Sequence, residues 1–231
     1  MENQNSHPNS KNESFFIVFA HPEKSSFCSA LKEKTLSLLQ KFNKQTFESD
    51  LYATNFNPCI SSKDFLHVPQ KPSTSISLEL EQKKSAELNT LAPDICLELE
   101  KLSNSNFVIF IAPLFWGTVP AIMKGWFDRV LVRGKTWDIN KWHENGLLKG
   151  KKALLVLTIA GLKEGFKEGE FQNNSIENML HHITWSTLRF CGMEVKDIYA
   201  IYGVGLRPKE EMEGELERYG EYIEGICINK L

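Results

Sequence analysis

Four short, almost uninterrupted apolar runs constrain this chain more than any other feature. They are Phe15–Ala20, Phe107–Ala112, Ala153–Ala160 and Asp197–Tyr202, and they are rich in β-branched and aromatic residues. A strand open to water on one face alternates in polarity, so continuous runs of this length mark parallel strands covered on both faces. A fifth run, Gln45–Leu51, is more polar and suits a sheet edge. Helical patterns lie between the runs: Ser29–Phe42, Pro93–Leu102, Pro120–Val130, Ile176–Phe190 and Pro208–Ile223. Pro93 at a first helical position, with Asp94 behind it, is a helix-start signal. Five strands alternating with helices predict an α/β fold, a doubly wound five-stranded parallel sheet with right-handed crossovers.

At 231 residues the chain fits one large α/β domain, 15–231, after a polar Met1–Ser14 tail that is expected to be disordered. The formal net charge of -2 gives no basic footprint for nucleic acid or for an anionic membrane. No run approaches the ~20 apolar residues that a membrane helix requires. The cysteines, Cys28, Cys59, Cys96, Cys191 and Cys227, show no CxxC pair and no metal-ligand spacing. That pattern reads as reduced thiols in a cytoplasmic protein, where the N-x-S matches at Asn12 and Asn173 carry no meaning. Phe56–Leu91 breaks the rhythm with Pro58, Pro69, Pro72 and the polar run Ser73–Ser77. It is too long for an ordinary connection and reads as an excursion over the surface.

In a doubly wound sheet the ligand sits beyond the carboxyl ends of the strands. The first end, Ala20–Cys28, has neither GxGxxG nor a Walker loop. A serine-rich turn opening a helix can bind phosphate through amides and hydroxyls, or Ser25 and Ser26 can be simple caps. His21 is an ordinary loop histidine or, given its place, a contact to a phosphate or ribityl chain. The second end, Ala112–Val130, holds Phe115 and Trp116 side by side in a loop between Pro113 and Pro120. Aromatics meant for the core belong in the strand or on the helix face, so this loop offers flat apolar surface to a planar ligand. Trp126 and Phe127, inside the helix, read as core. At the third end, Gly161 after Thr158-Ile159-Ala160 permits close backbone approach, a weak signal by itself.

Taken together, the stretches HPEKSSFCSAL, ESDLYATNFNP, APDI, APLFWGTVPAIMKGWFDRV and RFCGMEV resemble, in order and spacing, the NAD(P)H:quinone oxidoreductase (DT-diaphorase) family and its bacterial flavodoxin-like relatives. The resemblance spans roughly residues 15–205. It implies a flavodoxin-like fold in a homodimer that binds FAD or FMN, with FAD favoured because the excursion can cover an adenine. His21, Ser26, Phe27 and Cys28 fall where the family holds the ribityl and pyrophosphate groups, and Cys28 stands where Asn is common. Pro113, Leu114, Phe115 and Trp116 match the loop that embraces the flavin ring. Ile159, Ala160, Gly161 and Leu162 match the second ring loop, without the threonine hydroxyls usual there. Trp137 matches an aromatic that roofs the partner's substrate pocket.

Two departures accompany the resemblance. The family's Tyr and His beside the flavin fall near Lys167 and Asn173, neither of which reproduces them. Lys167 could serve if it turned inward, and otherwise is a solvated surface lysine. One branch's metal-binding histidines fall on Trp185 and Arg189, with His181 and His182 out of register, so no metal is expected. The implied activity is two-electron transfer from NAD(P)H to a quinone-like acceptor by a ping-pong route. The rival readings are a flavin-bearing ancillary subunit of a transporter, a reductase of nitroaromatic or azo acceptors, and a one-electron flavodoxin carrier. The last class is usually shorter and more acidic.

Overall fold

The computed structural model describes residues 13–67, 77–170 and 172–228. The five strands are β1 (Ser14–Phe19), β2 (Gln45–Asp50), β3 (Phe107–Pro113), β4 (Lys152–Ile159) and β5 (Glu194–Tyr202). They form one all-parallel sheet in the order β2-β1-β3-β4-β5. The helices are α1 (Phe27–Lys41), α2 (Leu78–Leu88), α3 (Pro93–Ser103), α4 (Ala121–Val130), α5 (Ile176–Met179), α6 (His181–Ile183) and α7 (Lys209–Cys227). This is the flavodoxin-like α/β architecture that the apolar runs predict.

Alternate residues of each central strand serve opposite layers, which is why the runs are apolar at every position. Phe16, Val18, Val108, Phe110 and Leu155 pack on one side with Trp126 and Phe127 of α4. Phe15, Ile17, Phe19, Ile109 and Val156 pack on the other with Leu31 of α1 and Tyr219 of α7. Trp126 and Phe127 are therefore core, as their helix positions suggest. The more polar β2 does lie at an edge.

Four details differ from the sequence reading. Ser14, placed in the tail, begins β1 and is tied by its hydroxyl to the Asn104 carbonyl at 2.8 Å. The fifth strand starts at Glu194 rather than Asp197, and a register shift opposite Ala153 and Leu154 leaves Lys196 without a partner position. Charged residues there are compatible with an edge strand that is half exposed. The stretch Ile176–Phe190 is not one helix, because α5 and α6 give way to a π-helical turn at Thr184–Arg189. Two hydroxyls donate to carbonyls just before it: Thr184 to Leu180 O at 3.2 Å and Thr187 to His182 O at 2.9 Å.

The excursion is also more deeply anchored than a surface path. Phe65 and Leu91 join Ala86, Ile95 and Val132 in a third small core. Arg129 of α4 binds both Asp64 oxygens (Nη2 at 2.8 Å, Nε at 3.1 Å), Asp94 at 2.6 Å and the Asn57 carbonyl at 2.9 Å. Asp64 is only 2% exposed. Pro69, Pro72 and most of the Ser73–Ser77 run lie outside the described residues, as does the tail up to residue 12.

Candidate active site

The carboxyl ends of β1, β3 and β4 lie side by side, since β1 pairs with β3 and β3 with β4. Sheet order therefore brings three loops together: 20–28, 113–119 and 159–162. The topological switch lies between β1 and β3, where chain progress along the sheet reverses.

The first loop is organised by Glu23. Its carboxylate accepts from the Ser25 amide and hydroxyl, both at 3.0 Å, and those bonds hold it below the usual carboxylate range. The Glu23 carbonyl accepts from Ser26 N at 3.3 Å and from the Ser29 hydroxyl at 3.0 Å. Ser26 caps α1 by accepting from Ser29 N at 3.1 Å. The two readings of this turn are thus compatible: Ser26 is a cap, and the amides of Phe27 and Cys28 lie in a first turn that has no earlier helical carbonyl to use. His21 Nδ1 accepts from Glu23 N at 3.0 Å, which folds the ring onto the turn. Cys28 requires a correction. Its side chain is 1% exposed, and burial pushes its thiol up to about 12 despite a bond with Thr158. Only its backbone can face a ligand.

The second loop contains a tight two-residue turn. Phe115 and Thr118 exchange both backbone hydrogen bonds, at 2.8 and 3.1 Å, and the central residues Trp116 and Gly117 have φ of 50° and 76°. Positive φ at both centres belongs to the mirror-image turns of tight hairpins, and a bulky residue there is an outlier. Trp116 is 103% exposed, its indole standing clear of the chain. Phe115 is also exposed, Leu114 is half-buried and Pro113 ends β3 inside the core. The Leu114 amide donates to Thr158 O at 2.9 Å, tying this loop to the third.

In the third loop Ile159 is buried, whereas Ala160 and Leu162 are exposed. A side chain at Gly161 would meet the Phe166 ring at 3.0 Å, so glycine keeps this rim thin. Phe166 in turn packs edge-on against Tyr202, centroids 5.2 Å apart.

The remaining candidates are not drawn into this mouth. Lys167 is a solvated lysine paired with Glu170 at 3.6 Å, and exposed Asn173 accepts from Gly169 N at 2.9 Å. Both sit in local turn contacts, so of the two readings of Lys167 the solvated surface lysine is the one the structure shows. Trp137 packs against Phe190 at 5.5 Å and donates its indole N–H to Leu131 O at 3.2 Å within its own chain. Trp185 lies between the His181 ring and the Arg189 guanidinium. Among the described residues no group of three or more His, Cys, Asp or Glu could hold a metal. Sequence reasoning missed His182, whose Nε2 lies 2.9 Å from the Thr118 hydroxyl. No local pattern signals a contact made across 64 positions.

A parallel α/β sheet whose switch-point mouth carries a serine-capped turn and an exposed aromatic turn defines a flavodoxin-like protein. The family model described as "Flavodoxin-like fold" matches residues 14–223. NAD(P)H dehydrogenase [quinone] 1 of Rattus norvegicus is 36% identical over 214 residues, which is 91% of this chain and 76% of that protein. Ribosyldihydronicotinamide dehydrogenase [quinone] of Mus musculus is 36% identical over 211 residues, covering 91% and 90%. A putative quinone reductase from Klebsiella pneumoniae superposes with a TM-score of 0.84 at 28% identity, covering 93% of this chain and 85% of that one. The chain belongs to the NAD(P)H:quinone oxidoreductase family, and it is an NAD(P)H dehydrogenase (quinone)-like enzyme.

Proposed function

We propose that this enzyme binds a flavin at the β1–β3–β4 mouth and catalyses two-electron transfer from NAD(P)H to quinones. Donor and acceptor would occupy the same slot in turn. The observation that carries this reading is the Phe115–Thr118 turn, which spends backbone strain to hold a fully exposed indole beside an amide-rich turn. The residues fit the group: amides of Phe27 and Cys28 and the His21 ring suit a phosphate-bearing chain, and a flat apolar loop suits a planar ring. Flavin, when bound, supplies the hydride chemistry, and the protein supplies placement.

In this account Pro113, Leu114, Phe115 and Trp116 hold one side of the ring site. Ile159, Ala160, Gly161 and Leu162 present backbone to the other, where amides can stabilise the negative charge of the reduced cofactor. We assign FAD rather than FMN. A cleft of about 380 Å³, lined by His21, Lys24, Lys32 and Tyr52, extends from the β1 turn toward β2 and offers room for a nucleotide half. A homodimer is supported by the exposed apolar stretch containing Ile139, Trp142 and Leu147, next to the Trp137 that would roof the partner's slot. Five free thiols suit the cytoplasm.

The test is steady-state kinetics with NADH or NADPH against menadione. Parallel double-reciprocal lines are expected, because donor product leaves before acceptor binds. Intersecting lines would remove the shared slot, and no turnover with either donor would remove the quinone reading.

A further inference from the structure

We propose that His182 is a positioning residue for the acceptor slot. It holds the Phe115–Thr118 turn, and through it the Trp116 indole, in one place. The inference rests on the shared-slot reading above.

An indole that is 103% exposed has nothing packed on it to set its position. Its direction is inherited from the backbone of a two-residue turn with positive φ at both centres. Such a turn is strained at Trp116, so it persists only where its surroundings over-determine it. Its own two hydrogen bonds supply part of that constraint. Beside the Leu114 amide's tie to Thr158 O, a distant segment, α5–α6, adds to it. His182 Nε2 meets the Thr118 hydroxyl at 2.9 Å. Met179, at the end of α5, puts its terminal methyl 3.1 Å from where a Gly117 side chain would begin. Together they brace both the third and the fourth residue of the turn. The Thr118 hydroxyl can donate or accept, so the bond survives either histidine tautomer. Neighbouring His181 is turned away and stacks on Trp185 at 6.1 Å, which makes it an internal control.

The test uses the flavin-loaded enzyme with NADPH and menadione. His182→Ala, compared at equal flavin loading, should raise the menadione KM by about 3- to 10-fold, the factor set by one ordinary hydrogen bond, more than it changes kcat. His182→Gln, which can still reach the hydroxyl, should restore it, and His181→Ala should change nothing. In a Trp116→Ala background, His182→Ala should have no further effect, since neighbours acting through one group are non-additive. A second readout needs no turnover: amide exchange at residues 115–118 should quicken in His182→Ala, with or without flavin, and recover in His182→Gln. Unchanged exchange in the turn, or a KM effect that persists in full without Trp116, would overturn the inference. A wild-type enzyme that does not reduce menadione would instead defeat the quinone reading, while the exchange measurement still decides the role of His182.

Discussion

Trp116 and Gly125 are two residues whose chemistry is fixed by opposite circumstances, open space and none. At Trp116 the left-handed backbone costs about 1–2 kcal/mol for an L residue, while glycine there would bring about 0.5–1 kcal/mol of extra chain entropy to lose. Trp116→Gly should therefore fold within about 1 kcal/mol of wild type yet bind quinone more weakly. Urea titration and the menadione KM separate those two effects. At Gly125 a β-carbon would run into the backbone of Pro58. Gly125→Ala should destabilise by about 1–3 kcal/mol as an overpacked contact, measured by the same titration. Some of this scale was legible beforehand. Trp126 and Phe127 could be assigned to the core because helix spacing turned them inward, and Phe115 and Trp116 to exposed surface at the strand-end mouth because a loop cannot bury them. The inward thiol of Cys28 was hidden, since its position in a site motif says nothing of side-chain direction. The Gly125–Pro58 contact was equally hidden, joining residues far apart in sequence.

At the scale of elements, the central strands could be read directly because both-face burial leaves an unmistakable apolar run. Where that condition fails the reading fails too. The start of β5 is charged because it lies on an edge, and the helix after β4 is broken at Leu180 and passes into a π-helical turn, neither of which apolar spacing reveals. The described start of the 56–91 stretch resisted for a different reason: Asn57 and Asp64 are tied by a partner, Arg129, from α4. Removing that partner leaves the buried Asp64 carboxylate with the Ser61 amide but, among the described residues, no opposite charge. Arg129→Ala should therefore cost about 3–5 kcal/mol, whereas surface substitutions such as Lys209→Ala should be near neutral. Thermal melts of both variants check this, and an Arg129→Ala midpoint equal to wild type would reduce the anchor to a surface contact.

Across the whole molecule, buried acidic groups set the behaviour in base. Burial pushes the Cys28 and Cys191 thiols up to about 12 from 9.0, and it also raises Cys227 and the phenols of Tyr199, Tyr202, Tyr219 and Tyr222. In the unfolded chain these groups ionise at their ordinary values, so above about pH 9 the unfolded state sheds protons that the fold retains. Raised folded values therefore mean stability intact below the unfolded pKa and lost as pH climbs toward the folded one. Melting midpoints should be flat from neutrality to about pH 8.5 and fall steadily beyond. In the same native state, iodoacetamide should modify exposed Cys59 and Cys96 before the three buried thiols. Intact-mass kinetics would reveal two fast sites.

The fold and the relatives make this an oxidoreductase, and the mouth at β1, β3 and β4 makes flavin the pivot of the account. The decisive measurement is the absorbance spectrum of the purified protein, followed by the mass of the cofactor released on denaturation. The account predicts an oxidised-flavin spectrum that NAD(P)H bleaches and menadione restores, with the mass of FAD in the supernatant. Protein that is colourless as purified and takes up neither FAD nor FMN on titration would contradict it.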